Sequence, residues 1–223
     1  METTIKTYYL LVIVFITYFI MSYLFKLLNI NNLEKALFKR NSLIYLNLRH
    51  LIGILLFGIL SYLLMPEYQN LLTTITYPNL FFLILSCIIF IATMLLAWIS
   101  VNKSIKRIKI KSTVFKQNGW LYFPMRIMFL LAYEYFFRGV LLFTLINSFG
   151  MIEAISLCTV LYVLIHAFDT KSEIIGAIPF GIVLCLLSYY SKSIIIPFVL
   201  HVGLSLVYEV NLFNYLTLKI EKP

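Results

Sequence analysis

The chain has 223 residues, of which 62% are hydrophobic, 17% aromatic and only 12% charged, and its mean hydropathy is +0.96. Soluble domains are about 45–50% apolar and about 25% charged, so there is too little polar surface here to cover a globule in water. A soluble enzyme, a disordered tail and a disulfide scaffold are thereby excluded, and the expected fold class is all-α, a polytopic transmembrane helical bundle of about seven spans.

A span needs about 20 apolar residues, because the hydrocarbon core is about 30 Å thick and a helix rises about 1.5 Å per residue. Residues 7–28 fit, as a retained helix without a small-residue cleavage pattern. Residues 43–65 fit, with Arg49 and His50 near an end or a bend and His50 read as interfacial. Residues 80–101 fit. Residues 120–146 are long enough but carry Arg126, Glu134 and Arg138. Residues 151–168, 173–190 and 193–213 follow. The chain divides into residues 1–119, N-terminal spans with basic connections and no motif; 120–213, a core carrying the candidate site; and 214–223, a tail. Glu173 is expected to open its helix, where its charge suits the N-terminal dipole, and Pro197 to kink the last one.

The net charge of +9 follows topology rather than nucleic acid, because the bases cluster between apolar runs. Lys26, Lys35, Lys39, Arg40 and Arg49 flank the first connection; Lys103, Lys106, Arg107, Lys109, Lys111 and Lys116 fill the third; the second has only Glu67. Basic connections stay in the cytoplasm. This places the N-terminus outside and the C-terminus in the cytoplasm of a plasma (inner) membrane, with lipid as the first partner. The basic stretch 102–118 reads as a topogenic loop, with a headgroup-bound helix as the alternative. Cys87, Cys158 and Cys185 all lie in apolar runs and read as small hydrophobes.

Charged groups in a span cost roughly 2.5–3.5 kcal/mol on insertion scales and are functional candidates by default. Three helices each offer a polar pair at i, i+4, which share a face: Glu134 with Arg138 in YEYFFRG, Tyr162 with His166 in YVLIH, and His201 with Ser205 in HVGLS. If those faces converge, they form one polar pocket in an apolar bundle. A desolvated carboxylate is a competent base near neutral pH, and an imidazole can share a water with it. A second imidazole and a hydroxyl can donate to an oxyanion. Such a set suits water attack on a peptide carbonyl. Glu134, His166 and His201 are also the ligands that a zinc ion, if there is one, would use, although no adjacent His-Glu-x-x-His arrangement is present.

In this order the three segments resemble the CPBP family of intramembrane proteases (CAAX proteases and bacteriocin-processing, or Abi, proteins). The family pattern is Glu-Glu-x-x-x-Arg, then Phe-x-x-x-His, then His-x-x-x-Asn. Here it reads Tyr133-Glu134-x-x-x-Arg138, Tyr162-x-x-x-His166 and His201-x-x-x-Ser205, over residues 120–210, with Glu173 and Gly181 where many members carry Glu and Gly. Three positions depart: Tyr133 replaces the glutamate taken as the family's water-activating base, Tyr162 replaces Phe, and Ser205 replaces Asn. A phenol with a pKa of about 10 is a poor base at neutral pH.

The resemblance implies an intramembrane endopeptidase with Glu134, His166, His201, Arg138 and Ser205 as its site. Glu134 and His166 would activate water, His201 and Ser205 would stabilise the oxyanion, and Arg138 would hold Glu134. The substrate would be a peptide or protein segment; the cofactor would be zinc or none. Two other readings stand beside it. One is a non-catalytic relative binding a peptide or partner, in bacteriocin self-immunity or as an envelope scaffold. The other is a transporter with a Glu/His proton relay, which inverted repeats would mark; no repeat is found.

Overall fold

A computed structural model describes residues 2–74, 76, 79–108, 114–115, 117 and 119–218, with the side chains from residue 6 onward. It contains seven helices long and apolar enough to cross a membrane: α1 Lys6–Leu27, α2 Ser42–Leu64, α3 Leu80–Arg107, α4 Tyr122–Phe149, α5 Met151–Phe168, α6 Lys171–Ser191 and α7 Ile195–Leu218. No strand occurs among the described residues, so the all-α bundle stands. The third helix runs on to Arg107, carrying Lys103 and Lys106 out on its last turns. Residues 109–113, 116 and 118 of the basic stretch and the end of the tail from 219 lie outside the described residues.

The fourth helix is the axis of the bundle. Of its apolar stretch 83% is buried, against 22% to 39% for the other six. Phe129, Tyr133, Phe136 and Phe137 pack on its flanks against Tyr18, Phe57 and Tyr162. Lipid tails are as apolar as these side chains, so packing and internal polar contacts, more than hydrophobic transfer, hold such helices together. The outer faces of α1, α2 and α3 present Ile, Leu and Trp to the acyl chains.

Polar ties define the two ends. At one end Phe115 N–H donates to Leu37 O at 3.0 Å, and the Gln117 amide donates to Ala36 O at 3.0 Å and Lys39 O at 2.9 Å. The first and third connections therefore meet on the same face. Asn31 joins them there, donating to Phe168 O at 2.9 Å, and Glu34 lies in the first turn of a short helix, Leu33–Leu37, capped by Asn32. Desolvation raises the Glu34 carboxyl above its ordinary pKa, against the pull of Lys35. At the opposite end Ile194 N–H donates to Leu71 O at 3.1 Å, and Thr144 donates to Tyr68 at 3.0 Å.

His50 is buried within the bundle, its ring stacked 5.1 Å from Phe129 and tilted 5.6 Å from Tyr122. One expectation is corrected. Pro197 does not kink α7, because it sits in the first turn, where a missing N–H costs no helical bond. The interior proline is Pro179 in α6. Glu173 does open α6, through a reciprocal capping box: Thr170 N–H donates to its carboxylate at 2.9 Å, and Glu173 N–H donates to the Thr170 hydroxyl at 3.4 Å.

Candidate active site

The α-helical turns of α4 end at Glu134 and give way to a π-helical segment, Tyr135–Leu141. The wider turn sets YEYFFRG apart from the regular helix, and π segments inside α-helices recur at functional sites. Neighbouring helices satisfy carbonyls of this segment. Ser188 donates to Arg138 O at 2.8 Å and the Cys158 thiol to Phe137 O at 3.2 Å. These bonds tie α6 and α5 to the motif and give two residues from the apolar runs a definite task.

Glu134 and Arg138 are both completely buried, and Arg138 Nε lies 3.4 Å from Glu134 Oε2. The other carboxylate oxygen, Oε1, is 2.5 Å from His201 Nδ1. A carboxylate from α4 is therefore held between a guanidinium one turn away and an imidazole from α7. Tyr162 forms the floor. The Arg138 guanidinium lies 4.1 Å from its ring centroid, a desolvated cation–π contact of the kind worth about 2 kcal/mol. The Tyr162 ring also meets His166 at 4.8 Å, Tyr133 at 5.9 Å and His201 at 6.3 Å. Gly181 of α6 allows this ring to sit close, since a Cβ there would lie 3.0 Å from Tyr162 Cδ1. The three motifs thus meet around one tyrosine ring.

Ser205 stands apart from that centre. Its hydroxyl accepts from Arg126 Nε at 3.1 Å and donates to Glu209 Oε1 at 3.0 Å. Arg126 Nε also reaches Glu209 Oε1 at 3.1 Å, and Tyr122 donates to Glu209 Oε2 at 2.7 Å. This second network joins α4 to α7 one turn from His201, toward the basic connections. Sequence reading left out Glu209 and Tyr122. Glu209 continues the i, i+4 ladder of His201 and Ser205, and Tyr122 stands at i, i+4 to Arg126, the charge noted early in that span. It also left out Asp169, whose Oδ2 lies 2.9 Å from His166 Nδ1.

Among the described residues no group of three or more His, Cys, Asp or Glu is placed to hold a metal ion. Glu134 spends one oxygen on His201 and faces a guanidinium with the other, an arrangement built for a cation of its own. The residues present do not fit a zinc centre, and no step is routed through one.

A buried carboxylate and arginine on α4, an imidazole at the end of α5 and another on α7 thus form one polar centre within the bundle. Residues 116–207 match the sequence family described as Rce1-like, type II CAAX prenyl endopeptidase. The match falls on the segment whose three motifs resemble the CPBP/CAAX proteases, and it supports a CAAX-type intramembrane protease in general terms. No curated protein and no solved structure gives a significant match.

Proposed function

We propose that the chain is an intramembrane endopeptidase that hydrolyses a peptide bond with water activated between Glu134 and His166. The observation that carries this is the meeting of Glu134 with His201 at 2.5 Å in the buried centre of the family segment. A charge set of this kind is expensive in a membrane and is kept where chemistry or transport needs it. The Nδ1–H of His201 serves Glu134; in the imidazolium form its Nε2–H remains for the oxyanion. Arg138 neutralises and orients Glu134. Ser205, whose proton goes to Glu209, supports Arg126 rather than the reacting carbonyl.

The substrate is a peptide segment that enters from the membrane or from its cytoplasmic face, and a prenylated peptide ending in a CAAX box is the first one to assay. The protein would lie in the plasma membrane with its N-terminus outside. The contact between the two basic connections on one face supports that orientation, because both would then face the cytoplasm.

One observation favours a second reading. Tyr133 holds the place of the family's first glutamate, and Glu134 is already hydrogen-bonded to His201 through one oxygen and faces Arg138 with the other. A non-catalytic relative that binds a peptide or an envelope partner would look the same. The test uses the purified chain in liposomes with prenylated and plain membrane peptides, comparing wild type with Glu134→Gln and His201→Ala. Cleavage by wild type that both substitutions abolish supports the protease. Peptide binding without cleavage, unchanged by either substitution, supports the relative.

A further inference from the structure

His166 ends α5 on a short 3-10 turn, His166–Phe168, and Asp169 N–H closes that turn on His166 O at 2.9 Å. The same aspartate holds His166 Nδ1 with Oδ2 at 2.9 Å. Its position is fixed on both sides. Asn31 grips Phe168 O just before it, and the Thr170–Glu173 capping box starts α6 just after it. The His166 and Asp169 side chains are 24% and 20% exposed, so the pair sits at the lip of the site. The other ring nitrogen, His166 Nε2, is buried and has no hydrogen-bond partner among the described residues. Its ring packs against Tyr162, the ring that carries Arg138 and faces His201. A carboxylate on Nδ1 selects the tautomer with the proton on that nitrogen and leaves Nε2 with its lone pair.

We infer that Asp169 is a positioning residue, and that His166 Nε2, backed by Asp169, is the base that replaces the carboxylate missing at Tyr133. This rests on the hydrolase reading above. As the water oxygen bonds to the peptide carbonyl carbon, Nε2 takes one water proton and the carbonyl π pair moves onto oxygen. The imidazolium keeps its Nδ1–H on Asp169. The oxyanion then re-forms the C=O bond, the C–N bond breaks, and the leaving nitrogen takes the proton from Nε2. The products are an amine and a carboxylic acid, which gives its proton to solvent, and His166 returns neutral. Glu134 stays ionised throughout, held by Arg138 and His201.

The test labels the histidines of the full chain with nitrogen-15 in detergent micelles. His50, His166 and His201 are the only histidines, and substituting each in turn assigns the ring signals. The expected result is a wild-type His166 protonated at Nδ1 and bare at Nε2, with that preference lost in Asp169→Asn. Cleavage of a membrane peptide by Asp169→Asn should fall about 100-fold or more in kcat, with KM changed less than about threefold, and Asp169→Glu should recover part of the rate. A wild-type His166 carrying its proton on Nε2 overturns the assignment. So does an Asp169→Asn protein with unchanged kcat, or an Asp169→Glu protein as slow as Asp169→Asn with the Nδ1–H tautomer intact. If wild type cleaves nothing while His166 is protonated at Nδ1, it is the hydrolase reading that fails, and the role as base falls with it.

Discussion

Glu134 and His201 are 67 positions apart and lie on different helices, yet Oε1 and Nδ1 meet at 2.5 Å with Arg138 3.4 Å from the second carboxylate oxygen. The carboxylate is fully buried and compensated from both sides. Breaking a buried pair by removing one partner costs about 3–5 kcal/mol, because the remaining charge is left uncompensated. Glu134→Gln is therefore expected to destabilise the protein by about that amount, and Arg138→Met likewise. The double variant should recover much of the loss, since neither charge is then stranded. Thermal unfolding in detergent with the three variants measures this. A double variant as unstable as the sum of the singles would contradict the pairing.

Gly181 is the position where backbone approaches the central tyrosine. Alanine there would put a Cβ 3.0 Å from Tyr162 Cδ1 and 3.3 Å from Thr159 Cγ2. The ring must shift, and Arg138 and His166 shift with it. Misplacement by about 1 Å can cost about 100-fold in rate, so Gly181→Ala is expected to lower kcat by about 10- to 100-fold. Gly176, on the same helix, has nothing within 4 Å of a built Cβ. Gly176→Ala should leave the rate unchanged and add up to about 1 kcal/mol through helix propensity. Paired kinetics and unfolding curves distinguish the two positions.

Ser205 gives its proton to Glu209 and receives one from Arg126. Ser205→Ala is expected to lower kcat less than about tenfold, below the usual loss for an oxyanion donor of about 100- to 1,000-fold. Glu209→Gln should cost more in stability, about 1–3 kcal/mol, because the Arg126 and Tyr122 donors lose a charged acceptor. A Ser205→Ala enzyme slowed 100-fold with full stability would return the hydroxyl to the reacting centre.

The contacts between the first and third connections predict that both face the same compartment. In sealed cells, cysteines placed at Arg40 and Lys106 should resist a membrane-impermeant thiol reagent and react only after lysis. A cysteine at Glu67 should react from outside. The opposite pattern would invert the bundle.

The spans were legible because lipid demands long apolar helices, and that demand is written in local composition. The three polar pairs were legible for the same reason, since a charge in a span is conspicuous. Their assembly depended on facts with no local signature. The π turn after Glu134, which brings Ser188 and Cys158 onto the motif's carbonyls, does not follow from helix periodicity. The burial of His50 depends on α4 lying at the centre of the bundle. Asp169 sits in a polar turn, where an acid carries no signal of its own, and its role depends on His166 lying 2.9 Å away. Ser205 is spaced to share a helix face with His201, but its partners come from α4 and from the next turn of α7.

The most direct measurement is cleavage of a prenylated CAAX-type peptide and a plain membrane peptide by the purified chain in liposomes, read by mass spectrometry. Wild type should cut at least one of them at a defined bond, and Glu134→Gln and His201→Ala should each abolish the cut while still inserting and binding peptide. A wild-type protein that binds but never cuts, or variants that cut as fast as wild type, would contradict the hydrolase account.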